Sequence, residues 1–280
     1  MRFRYFRPRE DIGDFVSSYY SVSFDEGMSD VMRAEIANVR FLVKGSLTTD
    51  IGGEPAEYSS RSALLCGPTH RASNITFSRD CHGFGAAVTP LGWARLFDVD
   101  ASDLADQVVP LDAYLGEAQA KLAKRVLSAS DDEARVAACD RLFASMADYE
   151  KPINQHFLDE VTAWITSPES NELSDLLVRF ELSTRQVERL SKKYFGCPPK
   201  MLHRKFRALT SANRLVWNDL IDWREVASTH YYDQPHFIRE FKHFNGRTPS
   251  EFINGAHLLV RATLQERLQI VHQSPFSLIG

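Results

Sequence analysis

Hydrophobic positions follow two different periods along this chain. Up to about residue 110 they come in short runs or alternate: 39–43 (VRFLV), 62–66 (SALLC), 74–77 (NITF) and 83–88 (GFGAAV). Turn formers separate these runs, most clearly Gly52-Gly53-Glu54-Pro55 and Gly67-Pro68. Many short strands at such spacing predict a barrel or sandwich. From residue 111 the period becomes helical. Segments 117–127 and 131–147 are Ala-rich, and Val136, Cys139, Leu142, Phe143 and Met146 share one face. Asp131 and Asp132 suit the start of the second segment.

Residues 149–154, with Pro152 inside, read as a linker. Everything after it reads as helix. The pattern predicts helices over 155–166, 172–180, 183–195, 200–220, 223–229, 233–244 and 250–269. The expected fold class is therefore α+β. A β-rich unit (1–110) followed by helices (111–149) makes one domain, 150–154 links, and 155–280 forms an all-α domain.

Composition adds bounds. At 280 residues there is room for two domains, and 44% hydrophobic with 25% charged residues fits a soluble protein. No apolar run approaches the ~18 residues that span a bilayer. No apolar segment backs the basic start MRFRYFRPRE, so neither a secretory signal nor a membrane partner is expected. The four cysteines form no CxxC pair, which suits free thiols in a reducing cytoplasm.

The net charge of −4 hides an asymmetry. Residues 171–254 carry +4 and the remainder −8. Within 183–214 stand nine basic residues and a single acid, Glu188. Such a surface suits phosphates.

Two stretches share one pattern. TRQVERLSKKYFGCPPKML starts at Thr184 and QPHFIREFKHFNGRTPSEF at Gln234. Arg189 and Arg239 each lie two beyond an apolar residue, Val187 and Phe237. Gly196 and Gly246 each lie three before a proline, Pro199 and Pro249. In the second stretch His236, Arg239 and Lys242 fall on roughly one helix face, and Phe237 and Phe241 on another. That is the layout of a helix-turn-helix, whose second helix lies in a DNA major groove.

Over residues 155–252 the chain resembles the AraC/XylS family of bacterial transcription regulators, most specifically in DQPHFIREFK and GRTPSEF. The resemblance implies two helix-turn-helix units joined by a long helix, entering successive major-groove segments of promoter DNA. It maps base reading onto Arg185, Gln186, Glu188 and Arg189 in the first unit, and onto Gln234, Pro235, His236 and Arg239 in the second. Arginine suits guanine, glutamine suits adenine, and glutamate can accept from cytosine. Glu188 can equally orient Arg185 or Lys192 on its own helix. Lys192, Lys193, Lys200, Lys205 and Lys242 are candidates for phosphate contact, solvated surface being the alternative for each. Two departures stand out: Glu181 and His230 occupy turn positions where the family usually carries glycine. The segment VASTHYY is also one residue short. Both changes predict altered inter-helix angles, and weaker DNA contact by the second unit.

The resemblance further implies a cupin-like barrel for the N-terminal half, sensing a small-molecule effector or forming a homodimer. Residues 117–147 are the dimerisation candidate, with packing on the barrel as the alternative. It implies an activator more often than a repressor, contact with RNA polymerase, and a place on the bacterial nucleoid in the cytoplasm. Cys66, His70, Cys81 and His82 can ligate zinc, but adjacent Cys81 and His82 would face opposite ways on a strand, so no metal or cofactor is expected. Aromatic residues such as Tyr19, Tyr20, Phe24, Phe41, Phe77, Phe84 and Trp93 could line a pocket or fill a core. An enzyme carrying this DNA-binding module, as in DNA-alkylation response proteins, would need a zinc-bound cysteine cluster or a Pro-Cys-His site. Cys197-Pro198 has the wrong order, and His236 beside Asp233 reads as structural or DNA-facing, so no enzyme is expected. A regulator set by abundance or a protein partner remains the alternative to effector control.

Overall fold

The computed structural model describes residues 1–167, 172–218, 222, 224, 226, 231, 233–255, 258–268 and 276. The N-terminal half holds two antiparallel sheets. The strands are β1 (Arg2–Phe6), β2 (Val16–Phe24), β3 (Met28–Met32), β4 (Asn38–Lys44), β5 (Ser46–Thr49), β6 (Ala56–Ser59), β7 (Ser62–Cys66), β8 (Ser73–Phe77), β9 (Cys81–Val88) and β10 (Val108–Pro110). A six-stranded sheet runs β1-β2-β9-β4-β7-β10, and a four-stranded one runs β3-β8-β5-β6.

Alternation along the strands packs the two sheets against each other as a barrel. On the larger sheet Val22, Phe24 and Leu42 face inward and meet Leu47, Ile75 and Phe77 of the smaller one. On its other face, Tyr19, Val39, Phe41 and Phe84 form a second core. Register places Phe41 opposite Phe84 at the centre of that face. Three helices cover it: α1 (Pro90–Leu96), α2 (Glu117–Ser128) and α3 (Asp132–Met146). Asp131 caps α3, its side chain accepting from the Ala134 amide. Ala123, Val126, Ala138, Cys139, Leu142 and Phe143 all enter this core. The apolar stripe of 117–147 is thus spent on the barrel, which removes the ground for assigning it to a dimer.

The C-terminal half comprises α4 (Gln155–Thr166), α5 (Leu173–Leu177), α6 (Thr184–Phe195), α7 (Pro199–Trp217), α8 (Gln234–Asn245), α9 (Pro249–Asn254) and α10 (Leu258–Arg267). The single helix expected over 250–269 is two, because Gly255 turns extended (φ −84, ψ 151) and stops α9. The expected helix 223–229, the VASTHYY segment and His230 fall mostly or wholly outside the described residues.

The two halves share a core. Ala34, Ile36, Ala87 and Ala94 from the first half pack with Phe157, Trp164, Phe195, Phe206 and Phe244 from the second. The expected linker is held in place as well: Arg95 Nη1 donates to the carbonyls of Asp148, Tyr149 and Lys151, at 2.9–3.0 Å. Among the described residues, no helix is long and apolar enough to cross a membrane.

Candidate nucleic-acid interface

Helices α6 and α8 are built alike, in matching register. Ser183 caps α6 in a reciprocal box: its hydroxyl accepts from the Gln186 amide, and Gln186 Oε1 accepts from the Ser183 amide at 2.9 Å. Asp233 caps α8, its Oδ1 accepting from the His236 amide at 2.7 Å. Each helix stops at a left-handed glycine, Gly196 at φ 85 and Gly246 at φ 78. Val187, Tyr194 and Phe195 turn inward on α6; Phe237, Phe241 and Phe244 do so on α8.

The outer faces carry the candidates for base reading. Arg185, Gln186, Glu188 and Arg189 are exposed on the first. On the second, Gln234, Pro235 and Arg239 are exposed and His236 is half-buried. Lys192, Lys200 and Lys242 are exposed and Lys193 is half-buried. Two of these side chains already have work. Gln186 Oε1 also accepts from the Ser183 hydroxyl at 2.8 Å, so its oxygen is tied to the cap. His236 Nε2 lies 3.5 Å from a carboxylate oxygen of Glu240.

Lys205 is not on the outer surface. It is 2% exposed, and its amine donates to the Glu35 carbonyl of the barrel. Burial lowers its pKa to about 8, against the pull of Cys197, Asp106 and Glu35. In this structure it cannot reach a phosphate, which corrects the sequence expectation. The reason is visible in the helix period: Leu202, Phe206 and Leu209 surround it on the buried stripe of α7.

Glu240 escaped notice for the same reason. It lies on the stripe with Phe237, Phe241 and Phe244 and is 1% exposed. Its Oε1 accepts from Arg207 Nη2 at 2.6 Å, Arg207 Nε at 3.0 Å and the Tyr231 hydroxyl at 2.9 Å. Its Oε2 accepts from Arg204 Nε at 2.8 Å. Burial, followed by the charge of Glu240, pushes the Tyr231 hydroxyl well above its ordinary pKa. This ionic knot fastens α8 to α7.

Both helices end on the barrel. The carbonyls of Lys192 and Lys193 accept from the amides of Ser102 (3.1 Å) and Ala101 (2.8 Å). Those of His243 and Phe244 accept from Ala72 (3.0 Å) and Ala34 (2.7 Å). The helix ends that need capping are therefore capped by the other half of the chain, and the residues proposed to read bases lie away from it.

The possible zinc ligands go separate ways. His70 Nδ1 lies 2.9 Å from Asp106, His82 faces Ser21 and Asp132, and Cys66 lies beside Arg40. All four cysteines are free and buried.

One cavity of ≈ 90 Å³ lies inside the barrel. Of the aromatic residues expected around a pocket, Tyr20, Phe41, Phe77 and Phe84 line it. Phe41, Phe84 and Phe77 belong at the same time to the cores that hold Tyr19, Trp93 and Phe24, which do not line it. Helix α10, from the other half, closes one wall with Leu259, Val260, Thr263 and Arg267.

Two capped helices in one register thus stand on a helical scaffold with a barrel in front. Residues 4–110 match the family described as Domain of unknown function (DUF6597). The HTH-type transcriptional regulator GbdR of Pseudomonas aeruginosa is 32% identical over 108 residues. That match spans 38% of this chain and 29% of the relative. The fold is shared with ToxT of Vibrio cholerae at 9% identity and a TM-score of 0.50, covering 84% of this chain and 97% of that one. A ToxT structure with bound unsaturated fatty acid gives the same score over 83% and 93%. The chain thus shares its fold with ToxT and spans less than a third of the length of the GbdR relative it matches.

Proposed function

We propose that this protein is a sequence-specific, DNA-binding transcription regulator that reads two successive major-groove segments of promoter DNA through α6 and α8. The observation that carries this reading is the pair of outward faces, with Arg189 and Arg239 at equivalent places on helices of one register. Lys192, Lys193, Lys200 and Lys242 flank those faces and would set affinity through phosphates. We further propose that an effector occupies the barrel cavity, since that cavity is walled by both halves of the chain. Activation through RNA polymerase follows from the family resemblance alone. A regulator without an effector is the alternative, and it predicts that nothing small binds in the barrel.

The test is a footprint of the full chain on its own upstream DNA. Two protected segments about 10 bp apart, on one side of the duplex, are expected. A single protected segment would reduce the protein to one reading unit. Protection without sequence preference would remove the reading altogether.

A further inference from the structure

Arg204 stands on α7, which follows α6 in the chain and precedes α8. One side of α7 is buried through Leu202, Phe206 and Leu209. Arg204 lies off that stripe, and Lys200, one turn ahead of it, is exposed. The Arg204 side chain is itself 37% exposed.

Its guanidinium is held at one corner. The Nε atom donates to Glu240 Oε2 at 2.8 Å, and the Glu240 side chain is fully buried. The other carboxylate oxygen is occupied by Arg207 and the Tyr231 hydroxyl, so Glu240 is fixed in turn. Neither Nη group of Arg204 has an acceptor among the described residues. The same Oε2 lies 3.5 Å from His236 Nε2. One oxygen thus sets Arg204 beside a residue of the outer face of α8. A guanidinium anchored at Nε, with both Nη groups available, is prepared for an anion that offers two oxygens.

We infer that Arg204 is a phosphate anchor of the second unit: its Nη groups bind one backbone phosphodiester of the duplex beside the segment that α8 reads, and Glu240 holds the guanidinium in place for it. This rests on the proposed reading of DNA and adds a contact from α7, outside both reading helices. Lysines bring a charge on a flexible stem, whereas Arg204 is already ordered and loses less freedom on binding. Phosphate contacts fix the register of a protein on the duplex. This one fixes α8, because Glu240 and His236 both belong to that helix.

The test compares the parent with Arg204→Met. Arg125→Met is the control: it removes an equal charge from the exposed side of α2, which covers the barrel. Fluorescence anisotropy with upstream and unrelated duplexes, titrated with salt, gives the slope of log affinity against log salt. In Arg204→Met the slope should be shallower by about 0.9 on both duplexes, the share of one phosphate. Arg125→Met should keep the parent's slope. Preference for upstream DNA should survive in Arg204→Met, which shows that the reading helices are intact. Uncharged methylphosphonates are then placed singly along the upstream duplex. One position should weaken the parent about tenfold or more and leave Arg204→Met unaffected. An unchanged slope in Arg204→Met, an equal fall in Arg125→Met, loss of preference together with the slope, or no position that separates parent from variant would each overturn the inference. A parent that prefers upstream DNA, with an unchanged slope in Arg204→Met, loses only this inference. A parent that binds every duplex alike loses the reading of sequence, while the slopes still judge Arg204. A parent that binds no DNA loses both.

Discussion

Removing the Glu240 carboxylate should be among the most damaging single changes in the helical half. The substitution Glu240→Ala strips Arg207 of its carboxylate, and Arg207 is only 19% exposed at its side chain. It also removes the acceptor of the Tyr231 hydroxyl. Arg204, 37% exposed, can turn to water and recovers part of what it loses. Breaking one partner out of a buried ion pair costs ~3–5 kcal/mol. The relief available to Arg204 sets the expected loss near the lower end, ~3 kcal/mol. Glu240→Gln keeps the volume and one acceptor and should lose less, ~2 kcal/mol. Urea unfolding of the full chain at pH 7, followed by tryptophan fluorescence, measures both. An alanine variant within ~0.5 kcal/mol of the parent, the range of an ordinary surface change, would refute the reading of Glu240 as the fastener of α8.

Three further outcomes follow from particular contacts. Gly246→Ala adds a Cβ 2.2 Å from Val31 Cγ1 in a backbone at φ 78, so urea unfolding should show a loss of at least ~1–2 kcal/mol from the left-handed strain alone. Asp233→Ala removes the cap of α8 and should cost ~1 kcal/mol in the same assay. Lys205, with its pKa lowered to about 8 from an ordinary 10.5, gives a pH signature. Below about pH 8 folded and unfolded chains both hold the proton, and the cost of burying the charge is fully present. Between there and 10.5 only the unfolded chain holds it, so stability rises with pH, by an amount on the order of 3 kcal/mol. Stability of the parent relative to Lys205→Met should climb over that range in parallel urea titrations; a flat difference contradicts the burial.

Much of the helical half was legible because its punctuation is local. Ser183, Asp233, Gly196 and Gly246 start and stop their helices within a residue or so of the expected bounds. Helix 155–166 matched, since Phe157, Leu158, Val161, Trp164 and Ile165 leave one solution for the buried face. Strands β4, β7, β8 and β9 showed through their apolar runs. β1 and β3 did not, because charged and polar residues such as Arg2, Arg4, Ser29 and Asp30 interrupt them. The site was less legible wherever charge misled. Lys205 and Glu240 look like surface residues by type, yet each sits on a buried stripe, Lys205 bound to Glu35 and Glu240 to Arg204 and Arg207, all distant in sequence. Arg33 and Arg267 owe their burial to barrel and helix closing on each other, which no local period reveals. The shared core was hidden for the same reason, and 149–154 consequently read as a free linker.

The central claim is that two units read sequence. Fluorescence anisotropy with the protein's own upstream DNA and an unrelated duplex, titrated with salt, tests it in the parent, Arg189→Ala and Arg239→Ala. A bidentate arginine–guanine pair is worth ~1–3 kcal/mol of discrimination, so each variant should lose about 5- to 150-fold of the preference for upstream DNA. Affinity for unrelated DNA should fall far less. Preference unchanged in both variants, or equal and salt-sensitive binding of the parent to every duplex, would contradict the account. Preference lost only in Arg189→Ala would contradict it for the second unit, leaving α8 to dock on phosphate.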